Sequence, residues 1–335
     1  MSILLTIDVE DYFQVENLRP FFPLHTWNRC DLRVETNTFR LLDLFDCHKV
    51  KATFFVLGWI AEHCPGLVRE IRNRGHEVAS HGYHHRITSE LSRAELREDL
   101  YRSKALLEDI TGEPVLGYRA PKFMISKDLL ELLPEIGFRY DSSLNSFSSK
   151  RPLSHSQDNS FAHSFINSLT CSYFNSALSP LNSVLSPECS SVYEIPVSNL
   201  QISRWVIPMG GGGYFRFWPG AWFEKGAARI LRSEGRYVFY IHPWEIDAGQ
   251  PRVEKVAGLR RFRHYLNLDK TLDRLDHFLG RFKDNSFLSC TEYMQRSRES
   301  VRHKPSTSWR ESPENRLNTP QAHHSMNRVQ VRGFS

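Results

Sequence analysis

The sequence has no long hydrophobic run. No stretch of eighteen or more apolar residues occurs, so no transmembrane segment is expected. The N-terminus reaches its first acidic residue at position 8, which leaves an apolar run too short for the core of a signal peptide. We therefore expect a cytoplasmic protein.

The sequence also lacks closely spaced cysteines. The six cysteines stand at positions 30, 47, 64, 171, 189 and 290, and no two of them form a Cys-x-x-Cys pair. This spacing argues against a zinc–thiolate site and against a dithiol redox motif. Reduced, partly buried thiols are expected instead.

The main part of the chain has little net charge. The stretch from Val301 onward contains six Lys/Arg and two Asp/Glu, so it accounts for nearly all of the formal charge of +5. The almost neutral remainder argues against nucleic acid as a partner. With 335 residues, of which 40% are hydrophobic, the chain can bury the core of one large domain or two modest ones.

Short apolar segments alternate with segments of helical periodicity. Such alternation predicts a parallel β-sheet with helices packed against it. Acidic residues or histidines follow several of the predicted strands, and this favours a barrel, whose sites lie at the carboxyl ends of its strands. The predicted strands cover residues 3–7, 52–57, 77–80, 115–118, 193–197 and 238–241, and the predicted helices cover 36–47, 65–74, 92–111, 126–133 and 268–282.

Composition divides the chain into a barrel and two weakly patterned segments. Residues 1–290 form the predicted barrel domain, and about 250–290 of these are a C-terminal extension. Residues 145–191 are rich in Ser and Asn and are interpreted as an insertion or long loop. Residues 300–335 are polar and basic and are predicted to be a disordered tail.

Two histidines and a group of carboxylates are candidates for a metal site. His81 and His85 are four residues apart, a spacing that places two imidazoles on one face of a helical turn. Taken alone, the pair is also compatible with surface or capping histidines. Asp8, Glu10 and Asp11 follow the first strand, where they could equally form a solvated turn. One of these carboxylates with the two histidines would make a catalytic zinc set with open positions, and a second would serve as base.

Three further polar residues follow predicted strands. Arg119 is compatible with an ordinary surface ion pair, Asp141 with a solvated turn, and His242 with a neutral histidine of the core. The Pro-Trp-Glu sequence after His242 favours a shaped rim of a site instead.

Six ordered motifs resemble those of a known family. They are TIDVEDYF at 6–13, ATFF at 52–55, SHGYHH at 80–85, YRAP at 118–121, YDSS at 140–143 and IHPW at 241–244. In order and spacing the set resembles the polysaccharide deacetylases with a NodB homology domain, the carbohydrate esterase family 4 type. The DVEDYF, GGGYFR and HPWEID segments resemble the branch found with exosortase and exopolysaccharide loci. The resemblance implies an α/β fold with a distorted (β/α) barrel.

The resemblance also implies a ligand set. A carboxylate of the opening motif would bind a divalent metal together with His81 and His85. The commonest form of the family has two adjacent Asp residues, whereas Val9 intervenes here. Glu10 is therefore the first choice as ligand and Asp11 the alternative.

The same resemblance implies four catalytic roles. Asp8 would be the general base, and Arg119 would keep it ionised and oriented. His242 would be the general acid, and Asp141 would orient His242 and keep it protonated.

The implied function is metal-dependent removal of N-acetyl groups from an N-acetylated polysaccharide or oligosaccharide in exopolysaccharide biosynthesis. Zinc is the default metal for these ligands. Two alternatives remain at this point. One is a small-amide or ring-opening amidohydrolase on the same barrel, and the other is a catalytically inactive glycan-binding protein.

Overall fold

A computed structural model describes residues 1–145, 192–203 and 205–302 of the chain. Nearly all of the predicted insertion and the predicted tail from residue 303 onward lie outside the described residues. At the tail's expected start the structure differs, because a helix continues to Arg302.

Ten strands are described, of which eight form one parallel sheet and two form an antiparallel hairpin. The strands of the sheet are β1 (Ser2–Val9), β2 (Ala52–Val56), β3 (Glu77–Ser80), β4 (Gly117–Tyr118), β5 (Tyr140–Asp141), β6 (Tyr193–Glu194), β9 (Arg236–Ile241) and β10 (Ser286–Phe287). The hairpin consists of β7 (Asn199–Ile202) and β8 (Trp205–Pro208).

The sheet is built around β1. On one side β1 pairs along residues 2–7 with β9, and on the other it pairs with β2, while β10 meets only its first two residues. Strands β3 to β6 continue in chain order from β2. The sheet closes where the Ser198 N–H donates to the Val238 carbonyl at 3.2 Å and the Val238 N–H donates to Ser198 Oγ at 2.9 Å. This confirms the predicted distorted (β/α) barrel.

Ten described helices surround the sheet. They are α1 (Val34–His48), α2 (Gly58–His63), α3 (Pro65–Asn73), α4 (Arg93–Thr111), α5 (Lys127–Ile136), α6 (Gly212–Phe217), α7 (Gly220–Glu234), α8 (Gly258–Tyr265), α9 (Thr271–Arg281) and α10 (Cys290–Arg302). None of the helices in the described ranges is long and apolar enough to cross a membrane.

Local sequence explains most of these boundaries. Helix α4 begins with a capping box, in which Ser92 Oγ accepts from the Glu95 N–H, and it ends at Gly112 in the left-handed region. Helix α5 extends to Ile136, so its expected end at Leu133 is wrong. Pro134 is tolerated because it lies in the last turn and removes a single backbone hydrogen bond.

The chain after β9 returns to the base of the barrel. Strand β10 lies beside the start of β1, and the backbone N–H of Cys290, the first residue of α10, donates to Thr53 Oγ1 of β2 at 2.9 Å. The C-terminal extension is therefore hydrogen-bonded to the barrel. The four cysteines among the described residues are free thiols.

The barrel interior leaves no room for a side chain at Gly117. A Cβ at this position would lie 1.9 Å from the ring of Tyr140. That ring is fully buried and its hydroxyl donates to Glu77 Oε1, so it cannot move aside freely. We expect Gly117→Ala to lower the free energy of unfolding by about 1–3 kcal/mol, measured by urea denaturation.

Gly66 of α3 is the control, because a Cβ there meets no atom within 4 Å. Gly66→Ala should leave stability unchanged or raise it by up to about 1 kcal/mol. Equal stability of the two variants would contradict the packing described for the barrel interior.

Candidate metal centre and active site

The carboxyl ends of several parallel strands bring polar side chains to one edge of the barrel. Asp8 and Glu10 come from the end of β1 and just beyond it, and His81, Arg119 and His242 follow β3, β4 and β9. The first four are almost completely buried, and the side chain of His242 is 16% exposed. The site is therefore an enclosed polar cluster with His242 at its opening.

Glu10, His81 and His85 converge on a common point. Glu10 Oε1 lies 3.2 Å from His81 Nε2 and 3.1 Å from His85 Nε2. Their ligand atoms all lie within 4.8 Å of one another. One carboxylate and two imidazoles are a donor set that binds catalytic zinc and similar divalent ions. The residues present thus fit a divalent metal ion.

A backbone carbonyl sets the tautomer of His81. His81 Nδ1 donates to the carbonyl oxygen of Arg119 at 2.7 Å, so Nε2 is the ring nitrogen that faces Glu10. Orienting contacts of this kind are typical of metal-binding histidines. Burial raises the pKa of Glu10, but His85, His242 and His81 lower it well below its ordinary value, so this carboxylate is ionised.

The two histidines do not lie on a helical turn, contrary to the expectation from their spacing. The segment from 81 to 87 is an irregular loop in which Gly82 has φ +75° and His85 has φ +53°. Asp99 of α4 holds this loop by accepting a hydrogen bond from the Tyr83 N–H at 2.8 Å. Positive φ at a residue other than glycine is unfavourable, so the surrounding structure holds His85 in this conformation.

Asp11, the alternative ligand, faces away from the metal site. Its carboxylate accepts hydrogen bonds from the backbone N–H groups of Tyr12, Arg33 and Val34 at 2.6–2.8 Å. Burial raises its pKa to about 6, although these hydrogen bonds act in the opposite direction. Asp11 anchors the start of α1, and Glu10 is the carboxylate that joins the histidines.

Arg119 holds Asp8 beside the metal site. Arg119 Nη1 donates to Asp8 Oδ1 at 2.7 Å and to Thr6 Oγ1 at 2.8 Å. Its Nε and Nη2 donate to the carbonyl and hydroxyl of Ser142. Each nitrogen of this buried guanidinium therefore has a partner, and the second Asp8 oxygen lies toward His242.

His242 lies close to both Asp8 and Glu10. Its Nε2 is 3.9 Å from Asp8 Oδ2 and 3.8 Å from Glu10 Oε1. Burial lowers the pKa of His242, but Glu10, Glu245 and Asp8 together raise it to about 9. A bound cation would oppose part of this effect, because it neutralises the nearby carboxylates.

Asp141 does not orient His242, contrary to the role implied by resemblance. Asp141 Oδ1 accepts from Ser143 Oγ at 2.5 Å, and Ser143 Oγ accepts from the Ala120 N–H at 2.8 Å. Burial raises the pKa of Asp141 to about 6. Through Ser143, Asp141 at the end of β5 therefore supports the loop that carries Arg119.

Glu245 makes the contact with His242 that was expected of Asp141. His242 Nδ1 donates to Glu245 Oε1 at 2.6 Å, and Arg216 Nε donates to Glu245 Oε2 at 3.0 Å. Burial raises the pKa of Glu245, but Arg216 and His242 hold it below its ordinary value. In the sequence, Arg216 and Glu245 stand out only as members of the GGGYFR and HPWEID segments. The three-residue separation of His242 and Glu245 is the signal that could have predicted their contact.

Two family models match separate parts of the chain. Residues 24–140 match the polysaccharide deacetylase model, and residues 173–295 match a domain of unknown function, DUF3473. The first part contributes His81, His85 and Arg119 to the site. The second contributes His242 and Glu245, whereas Asp8 and Glu10 precede both matches.

Individual relatives cover the first part. The chain is 37% identical over 105 residues to a Helicobacter pylori peptidoglycan deacetylase and 32% identical over 104 residues to a Bacillus cereus peptidoglycan-N-acetylglucosamine deacetylase. Each alignment covers 31% of this chain, and they cover 36% and 48% of those proteins. The chain thus matches less than half of the length of these relatives.

One solved structure matches nearly the whole fold. It is a Mycobacterium smegmatis protein assigned to the polysaccharide deacetylases, with a TM-score of 0.55 and 20% identity over 96% of this chain and 94% of that one. The fold and the ligand set define a barrel protein with a candidate divalent-metal centre. Residues 24–140 of the chain are therefore similar to the polysaccharide deacetylases.

Metal binding should depend on His81 and not on its neighbour His84. We expect His81→Ala to weaken zinc binding by more than about a hundredfold, since removing even an outer-shell partner costs about 10–100-fold. His84→Ala is the matched control, because His84 is outside the ligand cluster. Zinc titration calorimetry would measure both affinities. Similar losses in the two variants would contradict the assignment of the centre.

Proposed function

We propose that this protein removes acetyl groups from an N-acetylated glycan in a metal-dependent hydrolysis. The observation that carries the proposal is that His242 Nε2 lies within 4 Å of both Asp8 Oδ2 and Glu10 Oε1, the carboxylate that joins His81 and His85. A base and an acid flanking a divalent-metal site are the groups that amide hydrolysis requires. The kinship with polysaccharide deacetylases supports an acetylated sugar as substrate.

A divalent ion at this centre supplies a Lewis acid that lowers the pKa of water and polarises an amide carbonyl. Glu10, His81 and His85 would hold it. The protein's own part is to fix these ligands, with His81 oriented by the Arg119 carbonyl. Zinc is our proposal for the ion, since it suits one carboxylate and two imidazoles.

Asp8 takes the proton from the attacking water. Its second oxygen, Oδ2, points toward His242, while Arg119 bonds the first. The hydrogen bond from the buried Arg119, 2.7 Å long, keeps Asp8 oriented. His242 then gives a proton from Nε2 to the departing nitrogen, because its Nδ1 proton is engaged by Glu245. The products are acetate and a free amino sugar.

A cleft beside the centre has room for a sugar residue. It encloses about 590 Å³ and reaches His85. Phe22 and Trp27 lie on one side, and Arg19 and Arg86 add polar groups. Aromatic rings with a few polar side chains are typical of sugar-binding sites.

We also propose a biological process and a cellular location for this reaction. The DVEDYF, GGGYFR and HPWEID segments resemble the exosortase and exopolysaccharide branch, so we infer a role in exopolysaccharide biosynthesis. The site is proposed to act in the cytoplasm on a precursor of that polymer. A catalytically inactive glycan-binding protein would not require Asp8, Arg119 and His242 to surround the centre.

Asp8→Asn should separate metal binding from turnover. Asn retains an oxygen for Arg119 but cannot accept the water proton, so acetate release from acetylated chito-oligosaccharides should fall by about 10²–10⁴-fold. Zinc content and the circular dichroism spectrum should stay near those of the parent. Parental turnover in Asp8→Asn would remove this residue from the mechanism. Absence of acetate release by the metal-loaded parent from every acetylated glycan tried would refute the proposed function.

Glu245→Gln should reduce turnover more than Asp141→Asn does. Gln keeps the shape of the side chain but not the negative charge that holds the His242 Nδ1 proton. We expect kcat to fall by about tenfold to a hundredfold, with KM little changed, and a smaller effect of Asp141→Asn. Steady-state kinetics of acetate release would compare them. A larger loss in Asp141→Asn would return the orienting role to Asp141.

A further inference from the structure

Residues 252–263, which we term the basic–apolar segment, present an unusual surface. The segment contains Arg252, Lys255 and three arginines of α8 at positions 260, 261 and 263, against Glu254 as its one acidic residue. All of these side chains are exposed. The segment therefore concentrates positive charge on a chain whose main part is otherwise nearly neutral.

These cations have no carboxylate partners within the described ranges. Some arginines elsewhere on the surface are paired: Arg74 contacts Asp43, Asp46 and Glu70, and Arg93 contacts another three carboxylates. By contrast, Arg252 and Arg261 lie over the ring of Tyr265, 4.7 and 6.0 Å from its centroid. The positive charge of the segment is thus available to an anionic partner.

Two large apolar side chains lie among the cations. Leu259 is 70% exposed and Phe262 is 51% exposed. They are three residues apart in α8 (Gly258–Tyr265), so they are neighbours on one face of the helix. A helix with apolar side chains on one face and arginines around them has the composition of a segment that lies in the interface of an anionic membrane.

Buried residues within and just after the segment attach it to the rest of the protein. Val256, His264 and Tyr265 are buried, and Tyr265 Oη accepts from the Val253 N–H at 2.9 Å. His264 stacks on Trp244 with ring centroids 4.6 Å apart, and its carbonyl accepts from Arg216 Nη1. His242 also stacks on Trp244, with ring centroids 5.4 Å apart, so Trp244 links the buried part of the segment to the site.

We propose that the basic–apolar segment docks this protein on an anionic lipid bilayer. The cations meet the lipid headgroups, and Leu259 and Phe262 insert at the boundary with the acyl chains. Nucleic acid or an acidic protein would use the charges but would leave the two apolar side chains without a role. Docking is independent of the proposed reaction, because it needs none of the residues at the metal centre.

Vesicle sedimentation tests the proposal with the full chain. The parent should bind vesicles that contain phosphatidylglycerol and should not bind vesicles of phosphatidylcholine alone. Leu259→Ala with Phe262→Ala, and separately Arg260→Gln with Arg263→Gln, should each weaken binding by about tenfold or more. Binding should also fall as salt is raised, because exposed charges are screened.

The matched control changes an exposed cation and an exposed apolar residue on α4. Arg97→Gln with Tyr101→Ala should bind the anionic vesicles as the parent does; Tyr101 is 62% exposed. Parental binding by both segment variants would overturn the proposal, as would equal binding of the parent to the two kinds of vesicle. Loss in the arginine variant alone would also overturn it, because that pattern indicates a purely electrostatic surface suited to nucleic acid or an acidic protein. Acetate release is not measured, so failure here leaves the deacetylase proposal unaffected.

Discussion

The site depends on one buried arginine. Arg119 joins the ends of three strands, since its guanidinium bonds Thr6 and Asp8 of β1 and Ser142 after β5, while its own backbone follows β4. Its carbonyl oxygen also fixes the tautomer of His81. A single residue thus positions Asp8, the proposed base, through its side chain and His81, a proposed metal ligand, through its backbone. Because a buried charge without its partner costs about 3–5 kcal/mol, the stability of the barrel and the geometry of the site are coupled.

The part of the site around His242, the proposed general acid, is held by a different set of residues. His242 is held by Glu245, which in turn is held by Arg216 at the end of α6. These three residues belong to the part of the chain that matches the domain of unknown function, whereas the metal-binding histidines belong to the deacetylase match. The two matched parts are therefore not separate modules. Each supplies groups to one cluster, and β1 supplies the carboxylates between them.

Much of the fold and of the metal centre could be predicted from the sequence. Buried strands of a parallel sheet appear in the sequence as continuous hydrophobic runs, so they can be predicted. Because the carboxyl ends of these strands share one edge, Asp8, His81 and His242 were expected to lie together. Glu245 was missed because it lies in a short 3-10 helical turn, Pro243–Ile246, and no strand end marks its position. The loop of His81 and His85 was misjudged because a four-residue spacing does not reveal positive φ at His85.

The position of β1 has a consequence for how the chain acquires its structure. Strand β1 pairs with β9 and β10, which follow it along the chain by more than two hundred residues. Closing such long loops is entropically costly, and non-local strand pairing slows folding. During synthesis, β1 remains without its partner on one side until most of the chain has emerged. This exposed apolar edge is the point at which the nascent polypeptide is most prone to aggregate and has most to gain from a chaperone.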